Sequence, residues 1–200
     1  MEAPVKARWF APVLLLAAAP APAHAQFAID LLVGPNWSSI SNVPSQVPAG
    51  TTSSSDIGYF LGGRVRFGKS LFYLAPGLYY QYQSFNLDGS TTAANINDNI
   101  GLSSFQIPLE VGVNLNAKVV AVQLGVAGTM TLNSSVNSND WDYTKDETNN
   151  TRWGWMLNGS VRILMLDVNL AYQQDFTNTF KNDTNGGKLS QFRVGIGIGF

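Results

Sequence analysis

The chain has 200 residues, no cysteine and a single histidine, and 12 Lys+Arg set against 13 Asp+Glu give a formal net charge of −1. Disulfide staples and thiolate chemistry are excluded by that composition, and no basic excess marks a nucleic-acid surface. After the first 25 residues no apolar run reaches transmembrane-helix length, which needs roughly 20 residues.

The N-terminal segment has the layout of a secretory leader. Lys6 and Arg8 form a short basic region, Trp9 to Ala19 is apolar, and Ala23-His24-Ala25 is a small-x-small cleavage site. A membrane anchor is the competing reading, but the apolar run is short and is broken by Pro12 and closely followed by Pro20 and Pro22. Residues 1–25 are therefore expected to be a signal peptide and residues 26–200 one exported domain, from which the only histidine, His24, is absent.

From residue 27 onward the pattern alternates with period two. Eight stretches carry it: 27–39, 57–67, 71–85, 103–115, 119–132, 152–163, 166–177 and 189–200. Their connectors alternate in kind. Gly68-Lys69-Ser70, Asn116-Ala117-Lys118 and Leu164-Met165 are short, whereas 40–56, 86–102, 133–151 and 178–188 are long and polar. Short turns at one end and long loops at the other are the mark of an up-and-down outer-membrane barrel; regular spacing argues against reading the long segments as interdomain linkers. Pro35, Pro76 and Pro108 fall inside these stretches and are expected at bulges or rim positions, because proline removes a ladder donor.

Alternation alone does not say which face meets water. A lipocalin-like soluble barrel would turn its polar face outward and scatter Lys and Glu along it. Here Lys69, Lys118, Lys145, Lys181 and Lys188 all lie in turns, in loops or at a strand end. The apolar face is aromatic at its two ends: Phe27, Phe67, Phe72 and Phe200 at one, and Trp37, Tyr59, Tyr80, Tyr82, Phe105, Trp153, Trp155, Tyr172 and Phe176 at the other. From Phe72 to Tyr82 is ten residues, about 33 Å of strand at ~3.3 Å each. At a tilt of about 40° that covers about 25 Å, the height of an outer-membrane apolar band. The apolar face is expected in lipid and the polar face inside.

That parity sends Asp30, Glu110, Asp167 and Asp175 into the lumen with Arg64, Arg66, Arg162 and Arg193. An eight-strand interior is only wide enough for side chains to fill it, and charges there must be paired and hydrogen-bonded. The set reads as a plugged polar core; the sharper alternative is a gate in which the arginines and carboxylates exchange partners. Adjacent strand ends favour Asp30, Asp167 or Asp175 as the partner of Arg193. Inward glycines (Gly62, Gly77, Gly112, Gly125, Gly195, Gly197 and Gly199) are expected to make room for the arginines and for strand coiling.

No catalytic set emerges. A serine nucleophile needs an adjacent base, and the exported part has neither histidine nor cysteine. The loop Asp140-Trp141-Asp142-Tyr143-Thr144-Lys145-Asp146-Glu147 clusters carboxylates, but its spacing and lack of glycine fit no EF-type site, so it reads as a solvated loop rather than a Ca²⁺ site. No cofactor or metal is expected.

Four segments carry a family resemblance: Leu32-Val33-Gly34-Pro35-Asn36-Trp37-Ser38, Gly58-Tyr59-Phe60-Leu61-Gly62-Gly63, Leu74-Ala75-Pro76-Gly77-Leu78-Tyr79-Tyr80 and Phe105-Gln106-Ile107-Pro108-Leu109. They resemble the PorT-like outer-membrane β-barrel domain of Bacteroidetes, similar in architecture to small OmpA/OmpX-type barrels. Gly77 and Glu110 depart from the family pattern. The resemblance implies an all-β, eight-stranded antiparallel transmembrane barrel in the outer membrane of a Gram-negative cell. It also implies that Phe200, ending a strand of alternating apolar residues, is read by the barrel-assembly machinery, and that secretion-apparatus membership is one role open to such domains.

The expected function is thus a non-enzymatic anchor whose outer loops, 133–151 and 40–56 above all, meet a protein partner or the environment. A narrow porin-like channel gated by the lumen charges and an accessory subunit of a secretion apparatus are the alternatives. Outer-membrane lipid and the assembly machinery are the expected partners, with no nucleic acid.

Overall fold

The computed structural model describes residues 27–41, 52–68, 71–90, 95–117, 119–137, 149–179 and 187–200. Residues 1–25, read above as a leader, and the acidic segment 140–147 lie outside them. Eight strands follow in chain order: β1 (Phe27–Ser41), β2 (Thr52–Phe67), β3 (Phe72–Ser90), β4 (Asn95–Ala117), β5 (Val120–Asn137), β6 (Thr151–Ile163), β7 (Leu166–Asp175) and β8 (Lys188–Gly199). Each pairs antiparallel with its chain neighbours and β8 returns to β1, closing an all-β barrel with sequential strand order. The last link runs to the final residue, whose N–H donates to the Ile29 carbonyl at 2.9 Å while the Ile29 N–H donates back at 3.0 Å. Closure matters because an open edge in hydrocarbon would leave a row of N–H and C=O groups with nothing to bind.

The period-two pattern becomes two faces. On β7, Asp167, Asn169, Ala171, Gln173 and Asp175 are buried, while Leu166, Val168, Leu170 and Tyr172 are exposed. On β5 the contrast is sharp between neighbours: Gln123 is 1% exposed and Leu124 55%. The exposed face carries aliphatic side chains in its middle and aromatics at its ends. Phe27 meets Phe67 at 6.2 Å near the short turns. At the other end Tyr59 contacts Tyr80 and Tyr82, Tyr80 contacts Phe105, Trp37 contacts Phe192, and Trp155 contacts Tyr172. So large an apolar surface is tolerable only in lipid, and this is a transmembrane barrel.

Four strand ends lie farther out than the alternation indicates. β2 starts at Thr52 rather than 57, β3 runs to Ser90 rather than 85, β4 starts at Asn95 rather than 103, and β5 ends at Asn137 rather than 132. The segment 86–102, expected as a loop, is mostly ladder, with Asn86 opposite Asn99 and Ser90 opposite Asn95. Beyond the membrane no apolar face is needed, so these residues lose the alternation while cross-strand hydrogen bonds still hold them extended. β2 to β5 therefore form a tall wall above the outer aromatics.

The prolines do not sit at register shifts. Two register shifts occur, on β2–β3 between Ser55 and Tyr59 and on β4–β5 between Ser103 and Ser104, and neither contains a proline. Instead the β1–β8 ladder skips Gly34 and Pro35, and the β3–β4 ladder skips the stretch holding Pro108, with register unchanged on both sides of each gap. A missing N–H costs one rung; the neighbouring rungs are enough to keep the strands aligned. Gly34 is needed at its gap, because a Cβ there would collide with the Val194 carbonyl oxygen.

The β6–β7 turn places Leu164 at φ 57°, left-handed backbone that a branched-chain residue rarely adopts. Its side chain is largely exposed, so little packing offsets that conformation. Leu164→Gly should stabilise the barrel by about 1 kcal/mol, the approximate steric cost of the left-handed region for an L-residue, as read from urea unfolding in lipid vesicles. On β5, Leu124→Arg should destabilise by roughly 2–4 kcal/mol, the cost of Arg at a lipid-facing midplane position. Gln123→Glu should be milder, since the Gln123 side chain accepts a hydrogen bond from Arg64 at 3.0 Å. The same unfolding assay with both variants compares the faces; a neutral Leu124→Arg beside an unfolded Gln123→Glu would reverse them.

Candidate functional site: the layered lumen

Inward parity concentrates the arginines of the barrel in one narrow column. Near the short-turn end the centre is Arg64 on β2. Its Nε donates to Asp30 at 3.0 Å, Nη1 to both Glu110 oxygens at 3.2 and 3.0 Å, and Nη2 to Gln123 at 3.0 Å and Ser160 at 3.5 Å. Asp30 in turn receives Arg66 at 3.1 Å and Arg162, which also reaches Asp167 at 3.1 Å. Glu110 further accepts from the Tyr73 hydroxyl and from Asn158 Nδ2 at 3.0 and 2.9 Å. Asn158 is fixed from behind by Asn169 Nδ2 at 2.6 Å. Charges this buried persist only when paired and multiply hydrogen-bonded, and here every oxygen of Asp30 and Glu110 has a donor.

Above this network the lumen turns apolar. Leu32, Phe60 and Tyr79 form one buried cluster, and Ala127, Met156 and Ala171 form another. Arg193 bridges them: its guanidinium carbon lies 5.1 Å from the Phe60 ring centroid and 5.2 Å from that of Tyr79, and Nη2 touches the Met156 sulfur. The two clusters thus face each other across one level.

A second polar network starts there. Arg193 Nη1 donates to Gln106 Oε1 at 2.6 Å, Gln106 donates to Gln173, and Gln173 donates to Asp175 at 3.0 Å. Asp175 pairs with Arg152 at 2.8 Å, whose other nitrogen donates to Gln83 at 3.0 Å. Still farther out, Ile40 and its register partner Leu189 are buried, as is Leu102.

Of the eight charges assigned inward by parity, Asp30, Arg64, Arg66, Glu110, Arg162 and Asp167 come together in the first network. Asp175 is separate, in the second. Arg193 departs from expectation: it pairs with none of Asp30, Asp167 and Asp175, because the rings of Phe60 and Tyr79 hold it at a level that these carboxylates do not occupy. Arg152, not assigned beforehand, is fully buried and supplies the partner of Asp175; it shares the parity of Arg162 on β6, which was the available signal. Phe60, Tyr73 and Tyr79 were likewise inward by parity. They also explain the inward glycines: a Cβ at Gly62 or Gly77 would meet Tyr79, at Gly112 Tyr73, at Gly125 Tyr73 and Glu110, and at Gly195 Phe60. Only Gly199 makes room for an arginine, Arg162. At Gly197 the obstacle is the Leu31 carbonyl. Phe200 turns its exposed ring outward at the end of the closing ladder.

The Arg152–Asp175 pair is compact enough for a clean double-mutant cycle. Arg152→Met alone leaves a buried carboxylate without its cation and should cost about 3–5 kcal/mol. Adding Asp175→Leu should recover a large part of that loss, because two apolar groups need no partner. Urea unfolding of the single and double variants in vesicles measures the coupling, and additive losses would show that the pair contributes no coupling energy.

The chain is similar in structure to the Neisserial surface protein A, with 11% identity over 88% of this chain and 99% of that one and a TM-score of 0.49. It is also similar to the translocator domain of the autotransporter NalP from Neisseria meningitidis, with 10% identity over 86% of this chain and 88% of that one and a TM-score of 0.40. No curated protein matches the sequence. The family model of the outer membrane protein beta-barrel domain matches residues 10–200, and the chain belongs to that family of outer-membrane barrels.

Proposed function

We propose that this protein is a non-enzymatic outer-membrane anchor whose work is done by the segments it presents outside the membrane. The observation that carries this reading is the apolar level in mid-lumen, where Leu32, Phe60 and Tyr79 face Ala127, Met156 and Ala171 between two polar networks. The Phe60 and Tyr79 rings and the Met156 sulfur clamp Arg193 at that level, and so narrow and filled an interior opposes the passage of hydrated ions. The tall β2–β5 wall then serves as a mount for the outer segments, including 42–51 and 138–148. In this reading the finer family placement is PorT-like, Phe200 is the element that the assembly machinery recognises, and residues 1–25 direct export.

A gated channel through the same column would need the Arg64 centre and the apolar level to open together, so the anchor reading is favoured. Purified protein in planar bilayers should give no porin-sized conductance. Affinity capture from the native outer membrane, comparing the intact chain with one whose 138–148 segment is replaced by a short Gly-Ser linker, should recover a partner only with the intact loop. Stable large channels would sink the anchor reading, and capture independent of every outer loop would remove its interaction surface.

A further inference from the structure

Among the described residues, the lipid-facing band carries three outward glycines, Gly63 on β2, Gly128 on β5 and Gly159 on β6. Glycine weakens a strand interior, and there it marks a bulge, a bend or the close approach of another group. Gly63 is explained within the barrel, since a Cβ there would lie 2.8 Å from the Asp30 carbonyl oxygen. The other two are not. A Cβ at Gly159 would meet only Leu124 Cδ2 at 3.5 Å and the Gln123 carbonyl oxygen at 4.0 Å, and a Cβ at Gly128 would meet nothing. Neither lies at a register shift. The barrel has room for a side chain at both positions, so the reason for a bare backbone lies outside it.

At Gly159 the missing side chain leaves a groove of about 580 Å³ in the lipid-facing wall, lined by Leu124, Val126, Leu157 and Leu170, with the rings of Tyr172 and Phe192 at its outward end. The next outward positions are polar, Gln174 opposite Ser190, and Lys188 follows two residues farther out on β8. Lys188 is exposed and is the only lysine among the described residues, where no carboxylate pairs with it. The arginines described all have inward parity, so Lys188 is the one cation on this wall. From Val194, the register partner of Leu170, to Lys188 is six residues, about 20 Å of strand at ~3.3 Å each. At a tilt of about 40° that covers about 15 Å of depth, half of a ~30 Å hydrocarbon core. Groove and cation thus stand one leaflet apart. We infer that the groove seats one acyl chain of a phosphate-bearing lipid, drawn from the leaflet on the side of the long connections, with its phosphate on Lys188 and within reach of Gln174 and Ser190. Hydrocarbon is what the surroundings supply at the depth of Gly159, and the cation at headgroup height selects an anionic lipid. This site is independent of what the segments outside the membrane bind.

Native mass spectrometry of the full barrel in detergent, titrated with phosphatidylglycerol, reads the site directly. One lipid should stay bound per barrel, in clear excess over further copies. Diacylglycerol, which has the chains but no phosphate, should not be retained at the same concentration. Gly159→Leu fills the groove from the lipid side, where the barrel has space for it, and should abolish retention of phosphatidylglycerol. Lys188→Gln leaves the groove open and should weaken retention about fivefold, the worth of one basic residue beside an anionic lipid. The comparison of the two lipids on the parent chain stands whether or not a variant folds. Equal retention of both lipids, no singly bound species, or retention unchanged in either folded variant would overturn the assignment. So would a dimer of the parent chain that Gly159→Leu dissolves, because a second copy would then occupy the groove.

Discussion

Inside a bilayer a peptide N–H has no water to turn to, and the whole structure follows from that. Helices would solve the problem within each segment, but no segment described here is long and apolar enough for one to cross. Strands solve it only by closing, and the β1–β8 ladder that reaches Phe200 is the step that completes the ring. Once the ring is closed at eight strands, its width is fixed, and so is the amount of side chain the interior must accept. The glycines opposite Tyr73, Tyr79 and Phe60 are the local answer to that limit, since three large rings and five arginines occupy a column with little slack.

Filling the column with charge creates a second problem, and the protein solves it differently at different depths. Near the short turns, Arg64 uses all three of its nitrogens on Asp30, Glu110, Gln123 and Ser160, so a dense ionic lattice ties β1, β2, β4, β5 and β6 together across the interior. Such a lattice gains its strength from completeness, because a buried ion with every site satisfied is tolerated and one left unpaired is not. Farther out, amides take over, and Arg152 with Asp175 forms a single ion pair held among Gln83 and Gln173. Between them the aromatic and aliphatic level separates the two networks, which makes the lumen a sequence of layers rather than one continuous polar path.

That layering bears on where the protein meets its surroundings. The interior is filled with side chains, whereas β2 to β5 continue past the outer aromatics and stay paired there. Among the described residues, the strand ladder thus extends farthest on the side of the long connections. The segments joined to that wall differ in their support from those joined to β6 and β7, which stop at Thr151 and Asp175.

Much of this was determined by the sequence alone. Period-two alternation from Phe27 to Phe200 specifies strands, their number and which residues face lipid, because a lipid-facing position must be apolar and a lumen position in so narrow a ring must be small, polar or paired. The inward placement of Asp30, Arg64 and Glu110 follows from parity by itself. What parity does not carry is height. Strand tilt and register set which inward residues share a level, and these decided that Arg193 lies between Phe60 and Tyr79 instead of beside a carboxylate, and that Arg152 meets Asp175. Only the tertiary structure, likewise, decided how far β3 and β4 extend. Outside the membrane, residues such as Asn86 and Asn99 are held by cross-strand backbone bonds that leave no periodic mark in the sequence.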